Sequence, residues 1–190
     1  GGPGIDNQRL EAEPERAVRW RDDDQLDVAI MREVDRRYGP LDWREPETLA
    51  VYWGFRGRMW ADRASRLPSD RMIYQNLVTL FFRGGRQVDP KRGVILRTTP
   101  EARLLPSVIR AFDEAMAIHG ADTIGPTFSG FLRQAAAALH TVGANAEGRL
   151  AFDALRERFP AETGDASYEQ FLETAPRIIL KTNGAAARDE

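Results

Sequence analysis

The residues best suited to chemistry in this chain are few, and their spacing argues against most catalytic arrangements. His119 and His140 are its two imidazoles, each near a helix end, with Asp122 close in sequence to the first. A metal or hydrolytic centre built on them would call for His-Glu-x-x-His, or for the paired Glu-x-x-His of di-iron bundles. Neither occurs, since Glu114 precedes His119 by five positions. A histidine in the last helical turn is explained by the favourable dipole at that end. The neighbouring carboxylates Asp113 and Glu114 could serve as acid and base only if they faced one substrate. Adjacent helical residues point about 100° apart, so the pair reads as solvated. There is no Gly-x-Ser-x-Gly elbow, no Gly-x-x-x-x-Gly-Lys loop and no Cys. Serine catalysis, P-loop nucleotide hydrolysis, a thiolate nucleophile, a thiolate zinc site and a disulfide framework all lack their residues. The sequence assigns no catalytic, metal or cofactor site, and no cofactor.

Gly54-Phe55-Arg56-Gly57 matches the Gly-x-x-Gly of single-strand RNA clamps. Those loops belong to α/β modules, however, and this one sits inside an aromatic helix. There the two glycines serve close helix crossing instead. Around them stand Trp43, Trp53 and Trp60, with Arg56, Arg58, Arg63 and Arg66 between and after. Tryptophan and arginine dominate the anchors of protein interfaces, and both suit the lipid headgroup zone. Trp53 and Trp60, seven apart on one helical face, read as a buried stripe, which leaves Trp43, in a turn, as the exposed candidate.

Charge falls in thirds. Residues 1–50 hold 8 Arg and 13 Asp or Glu, residues 51–110 hold 12 Arg or Lys and 4 Asp or Glu, and residues 111–190 hold 7 and 12, a pattern hidden by the net charge of −2. The basic middle could meet phosphate, anionic lipid or an acidic partner, or it could be neutralised internally by acidic helices from the two ends. The partner-binding candidates drawn from it and its flank are Trp43, Arg56, Arg58, Arg63, Arg66, Arg71, Arg86 and Arg92.

The elements that must position these residues are helical. With 190 residues and 42% hydrophobic content the chain suits one domain, and no apolar run approaches the ~18 residues of a membrane span. Residues 1–22 read as an extended, partly disordered arm, 23–183 as a single helical domain and 184–190 as a frayed tail. Leu26, Ile30, Val34 and Tyr38 mark a first helix ended by Gly39-Pro40. Pro46 opens a second, with Leu49, Trp53, Trp60 and Ala64 on one side, and Ser69 or Asp70 caps a third that stops at Gly84-Gly85. Residues 87–99 read as a loop or short edge strand. Pro106 starts a fourth helix ending at Gly120, a fifth follows Pro126, and a sixth runs from Asn145 with Leu150, Phe152 and Leu155. Ser167 caps the last. The fold class is all-α, built as stacked antiparallel helical hairpins.

Two resemblances bear on this architecture. Phe128 to Pro160 resembles a tetratricopeptide-type hairpin: Ala136 and Gly148 stand where its helices cross, Phe152 takes its aromatic position and Pro160 ends the unit. Leu132, Ala135, Leu139 and Leu155 depart from the motif's Trp, Leu, Tyr and Ala, and no second copy is in register. More broadly, Leu41-Asp42-Trp43-Arg44-Glu45-Pro46-Glu47, Tyr52-Trp53, Asp70-Arg71-Met72-Ile73-Tyr74-Gln75 and Arg158-Phe159-Pro160 are, in this order, similar to an uncharacterised bacterial family. That resemblance implies an N-terminal membrane segment ahead of the domain, a tether upstream of Gly1, and no chemistry. The Met-less start, Gly1-Gly2-Pro3-Gly4, fits removal of such an anchor, a signal peptide or a tag, and leaves localisation open.

The expectation is a non-enzymatic helical protein–protein interaction domain, an accessory subunit of a larger assembly tethered at a membrane. The alternative is nucleic-acid or anionic-lipid binding through the basic 51–110 segment. Protein is the expected partner, with a membrane surface next and nucleic acid last.

Overall fold

Helix α1 (Val28–Tyr38) begins where Asp27 caps it, its carboxylate accepting from the backbone N–H of Ala29 at 2.8 Å and Ile30 at 3.4 Å. In this computed structural model residues 25–88, 95–98 and 100–174 are described. The arm expected over 1–22, the tail over 184–190 and Arg92 lie outside them. Gly39 ends α1, and Pro46 opens α2 (Pro46–Trp60) in its first turn, where a missing N–H costs nothing. Helix α3 (Leu67–Arg83) starts earlier than Ser69 or Asp70. Pro68 fits its first turn, Arg66 precedes it without a side-chain cap, and Asp70 is buried inside the helix with other partners. Gly84, at φ 76°, closes α3 in a conformation that glycine adopts without strain.

The segment beyond is a two-stranded antiparallel ribbon. Strand β1 (Gly85–Val88) pairs with β2 (Ile95–Thr98), with Arg86 opposite Arg97 and Val88 opposite Ile95. The segment expected over 87–99 as a loop or short edge strand therefore contributes β2 to a ribbon whose first strand starts directly after the α3 cap. Glu101 N–H donates to the Phe81 carbonyl at 2.8 Å, returning the chain to α3. A 3₁₀ turn (Ala102–Leu104) then leads into α4 (Leu105–His119), with Pro106 in its first turn.

Helix α5 (Ala121–Thr141) starts five residues before Pro126, which lies inside it. A proline there forfeits the bond to the carbonyl four residues back, that of Asp122. Asp122 is exposed, so water can take that carbonyl and the helix need not break. Helix α6 (Asn145–Arg158), the single turn α7 (Pro160–Thr163) and α8 (residues 168–174) follow. Ser167 caps α8 through a reciprocal pair: Gln170 N–H donates to Ser167 Oγ at 3.2 Å, and Ser167 N–H donates to Gln170 Oε1 at 2.8 Å.

The fold is all-α, with the β1–β2 ribbon an appendage of the helices. The described residues divide into two compact units between Ile124 and Gly125, where the sequence reads as one domain over 23–183. Each unit buries its own aromatic set. In the first, Tyr38, Tyr52, Phe81 and Phe112 are fully enclosed, and Tyr74 stacks on Phe112 at 4.5 Å. In the second, Phe152 lies 5.5 Å from Tyr168 and 5.1 Å from Phe171, and Phe128 meets Phe159 edge-on. Helices pack in pairs. A Cβ on Gly148 of α6 would stand 3.1 Å from the Ala136 carbonyl of α5, so the small residues at 136 and 148 meet at a crossing. Leu150, expected inside, is exposed, because α6 buries Ala151, Phe152, Ala154 and Leu155 on its other side.

Candidate functional site

Two sites emerge in the first unit: a buried ionic cluster and an exposed aromatic face. Both involve α2 and α3.

Arg58 is the hub of the cluster. It lies on the side of α2 that carries Val51 and Gly54, so packing α2 against α3 takes it inside, with 8% of its side chain exposed. Its Nε stands 3.0 Å from Asp70 Oδ1, and both terminal nitrogens stand 3.0 Å from Glu114 Oε2. It also donates to the Tyr38 hydroxyl. Asp70, with 2% of its side chain exposed, further receives Arg66 at 3.3 Å and faces His119 Nε2 at 2.8 Å. Glu114 accepts from Arg37 Nε at 2.9 Å and from the Tyr38 hydroxyl at 2.6 Å. All four carboxylate oxygens are engaged, so the cluster ties α1, α2, α3 and α4 together rather than presenting a reactive group. Burial, reinforced by the bond to Glu114, pushes the Tyr38 phenol up to about 12. Burial raises the Glu114 carboxyl, but hydrogen bonds from Tyr38 and Arg37 outweigh it and hold the group below the usual carboxylate range.

Several expectations change here. Arg58 and Arg66 are partners of the protein itself, as internal neutralisation of the basic middle would have it. Arg83 likewise reaches Glu47 at 2.7 Å and Glu45 at 3.4 Å across from the acidic first third. Glu114, which reads as solvated beside Asp113, is the acceptor of three side chains. His119 sits in the last turn of α4 and faces a buried aspartate, while His140 Nδ1 faces Asn145 Oδ1 at 2.8 Å. Among the described residues no group of three or more His, Asp or Glu is placed to hold a metal ion. None of their helices is long and apolar enough to cross a membrane.

The aromatic face is the reverse of the sequence reading. Trp53 is 42% and Trp60 84% exposed, with Met59 at 59%, and Met72 on α3 is exposed as well. Helix α2 has two apolar sides, and the one that enters the core carries Thr48, Val51 and Tyr52, with Gly54 beside α3. The glycines decide the orientation. A Cβ at Gly54 would stand 3.0 Å from both the Ser69 carbonyl and Ile73 Cγ1, and one at Gly57 would stand 2.7 Å from Ser69 Oγ. Helix α3 thus approaches along a side with no large apolar residue to announce it, and the Gly-x-x-Gly serves helix crossing. Trp43, the expected exposed tryptophan, instead packs against Leu26, Met31 and Tyr52, with its Nε1 buried.

Of the remaining candidates, Arg56 lies over the Trp53 ring at 5.1 Å and donates to the Gln25 carbonyl at 3.2 Å. Arg63 and Arg71 are exposed and, among the described residues, have no ion-pair partner. Arg86 is in β1. The structure thus sets Arg56 against an exposed tryptophan, leaves Arg63 and Arg71 exposed, and withdraws Trp43, Arg58 and Arg66. Met59 and Met72 were legible only as apolar residues of unassigned face. No family model, no curated protein and no solved structure matches the chain.

Proposed function

We propose that this chain is a non-enzymatic helical protein–protein interaction domain whose docking face is formed by α2 and the start of α3. The supporting observation is Trp60, a large aromatic side chain 84% exposed at a helix end, with Trp53, Met59 and Met72 exposed on the same helix pair. Scattered exposed apolar residues are ordinary, but two tryptophans and two methionines on one helical pair are the composition of an interface centre. The crossing at Gly54 and Gly57 brings the two helices into close contact. An accessory role in a larger assembly, tethered at a membrane, is the biological setting this reading favours.

Arg63 and Arg71, exposed and without an ion-pair partner among the described residues, support a second reading, binding of nucleic acid or anionic lipid through the basic 51–110 segment. Salt separates the two. A polyanion binder loses affinity steeply as salt rises, roughly in proportion to the phosphates contacted. Titration of the chain with duplex DNA, single-stranded RNA and anionic vesicles at low and high salt is expected to show no Trp60-dependent binding. A protein partner recovered through the chain is expected to persist at high salt and to be lost with Trp60→Ala. Salt-sensitive, Trp60-independent binding to polyanions would replace the first reading with the second.

A further inference from the structure

Resting on the interaction-domain reading, we infer that the segment of this chain preceding Gln25 lies over the Trp53–Trp60 face of α2 and is displaced when a partner docks. The chain enters the described structure beside that face. Arg56, over the Trp53 ring at 5.1 Å, donates to the Gln25 carbonyl at 3.2 Å. Asp27 N–H donates to the Tyr52 hydroxyl at 2.8 Å, and Leu26 packs with Tyr52, whose ring meets Trp53 edge-on at 5.2 Å. Gln25, Leu26 and Asp27 are thus each tied to the part of α2 that bears Trp53. Gln25 also holds φ 54°, a left-handed conformation that residues with a side chain rarely adopt, so the fold sets the direction of the chain at this point.

Length and chemistry both suit the segment to the face. Trp20 stands five residues before Gln25, within about 17 Å of it at full extension, and Trp53 and Trp60 are about 10 Å apart along α2, so Trp20 and Val18 can reach the exposed tryptophans. Val18 and Trp20 offer apolar surface to Trp53, Met59 and Trp60, while Asp22, Asp23 and Asp24 are kept by the chain itself close to Arg56. The turn after Trp60 has charge of both signs, Asp62 and Arg63, and so has the segment around Trp20, so that end neither recruits nor repels it. The tether favours this occupant over any other. A contact made through so short a linker works at an effective concentration on the order of millimolar, so an intrinsic affinity of about 1 mM half-covers the face. A second copy or a separate peptide at micromolar concentration needs an affinity about a thousandfold tighter for the same occupancy.

The test uses the full chain, which has no Cys of its own, with cysteines introduced in pairs. Val18→Cys with Met59→Cys sets the segment against the face. Val18→Cys with Ala29→Cys is the control, since residue 29 is exposed and nearer to Gln25 along the chain. In a glutathione redox buffer the 18–59 pair is expected to close an intramolecular disulfide about tenfold faster than the 18–29 pair, and Trp20→Ser to remove that advantage. Replacing Asp22, Asp23 and Asp24 together by Asn is expected to slow the 18–59 closure by about threefold. Met59 and Ala29 are exposed, so circular dichroism and thermal midpoints of the reduced variants should match the parent. Equal rates for the two pairs, or an 18–59 closure indifferent to Trp20→Ser, overturns the inference and leaves the interaction-domain reading to its own test. A disulfide between two chains in place of one within the chain overturns it in favour of a second copy. Vesicles of phosphatidylcholine with phosphatidylglycerol that sediment the chain through Trp60 and abolish the 18–59 disulfide would put a bilayer on the face and overturn both.

Discussion

At the scale of single residues, the chemistry of this molecule is concentrated in groups that face one another. Arg58 spans two carboxylates, and removing one partner of such a buried set is costly because the others keep their charge without their solvent. Tyr38 gives the cluster a pH signature. Its phenol must stay protonated to donate to Glu114, and its folded value near 12 lies above the usual value near 10. Its contribution is therefore complete below about pH 10 and disappears as pH rises toward 12, a loss of about 3 kcal/mol at most. Glu114 behaves oppositely: its lowered value stabilises the fold above the ordinary carboxylate range, and that stability is lost as pH falls through the folded value. Urea midpoints are expected to hold between about pH 5 and 10 and to fall on either side. Tyr38→Phe should flatten the alkaline limb. An alkaline limb identical in the variant would show that the phenol does not carry it. None of this was legible in the sequence, because Tyr38, Asp70 and Glu114 lie far apart along the chain, and only the fold brings them to Arg58.

At the scale of elements, most helix ends were legible, although α3 and α5 begin before the expected cap and proline, and helix faces were less so. Pro46, Gly39, Gly84, Gly120 and Ser167 each act where their backbone chemistry places them, since a cap or a stop depends on a few neighbouring residues. Which side of α2 turns inward is a tertiary matter. Its tryptophan stripe gives the stronger periodic signal, but α3 settles against the side where glycine leaves room. This assigns different costs to the two glycines. Gly54→Ala would push a methyl onto the Ser69 backbone carbonyl and Ile73, at 3.0 Å from each, and is expected to destabilise by about 1–3 kcal/mol. At Gly57 the neighbour is the Ser69 hydroxyl, which can rotate away, and the better helix propensity of alanine offsets up to about 1 kcal/mol. Chemical denaturation of the two variants should therefore rank Gly54→Ala well below Gly57→Ala. The reverse order would place the tight contact elsewhere.

At the scale of the whole molecule, the uneven distribution of charge resolves into two uses. Part is internal: Glu114 from the acidic last third and Glu45 and Glu47 from the first are paired with Arg58 and Arg83 of the basic middle. Part remains outside, as Arg56 over the Trp53 ring and as the exposed Arg63 and Arg71. The sequence could report only the totals, since pairing depends on which helices meet. Two compact units, each with its own aromatic core, leave the first to carry this face and the second to carry an exposed apolar residue, Leu150. That contrast supplies an internal control. A photo-crosslinking amino acid placed at Met59, and separately at Leu150, in the chain expressed in its native host addresses the docking face directly. Position 59 is predicted to yield a discrete protein adduct that Trp60→Ala abolishes, and position 150 to yield none. Adducts from both positions alike, or an adduct at position 59 that survives loss of Trp60, would contradict the account.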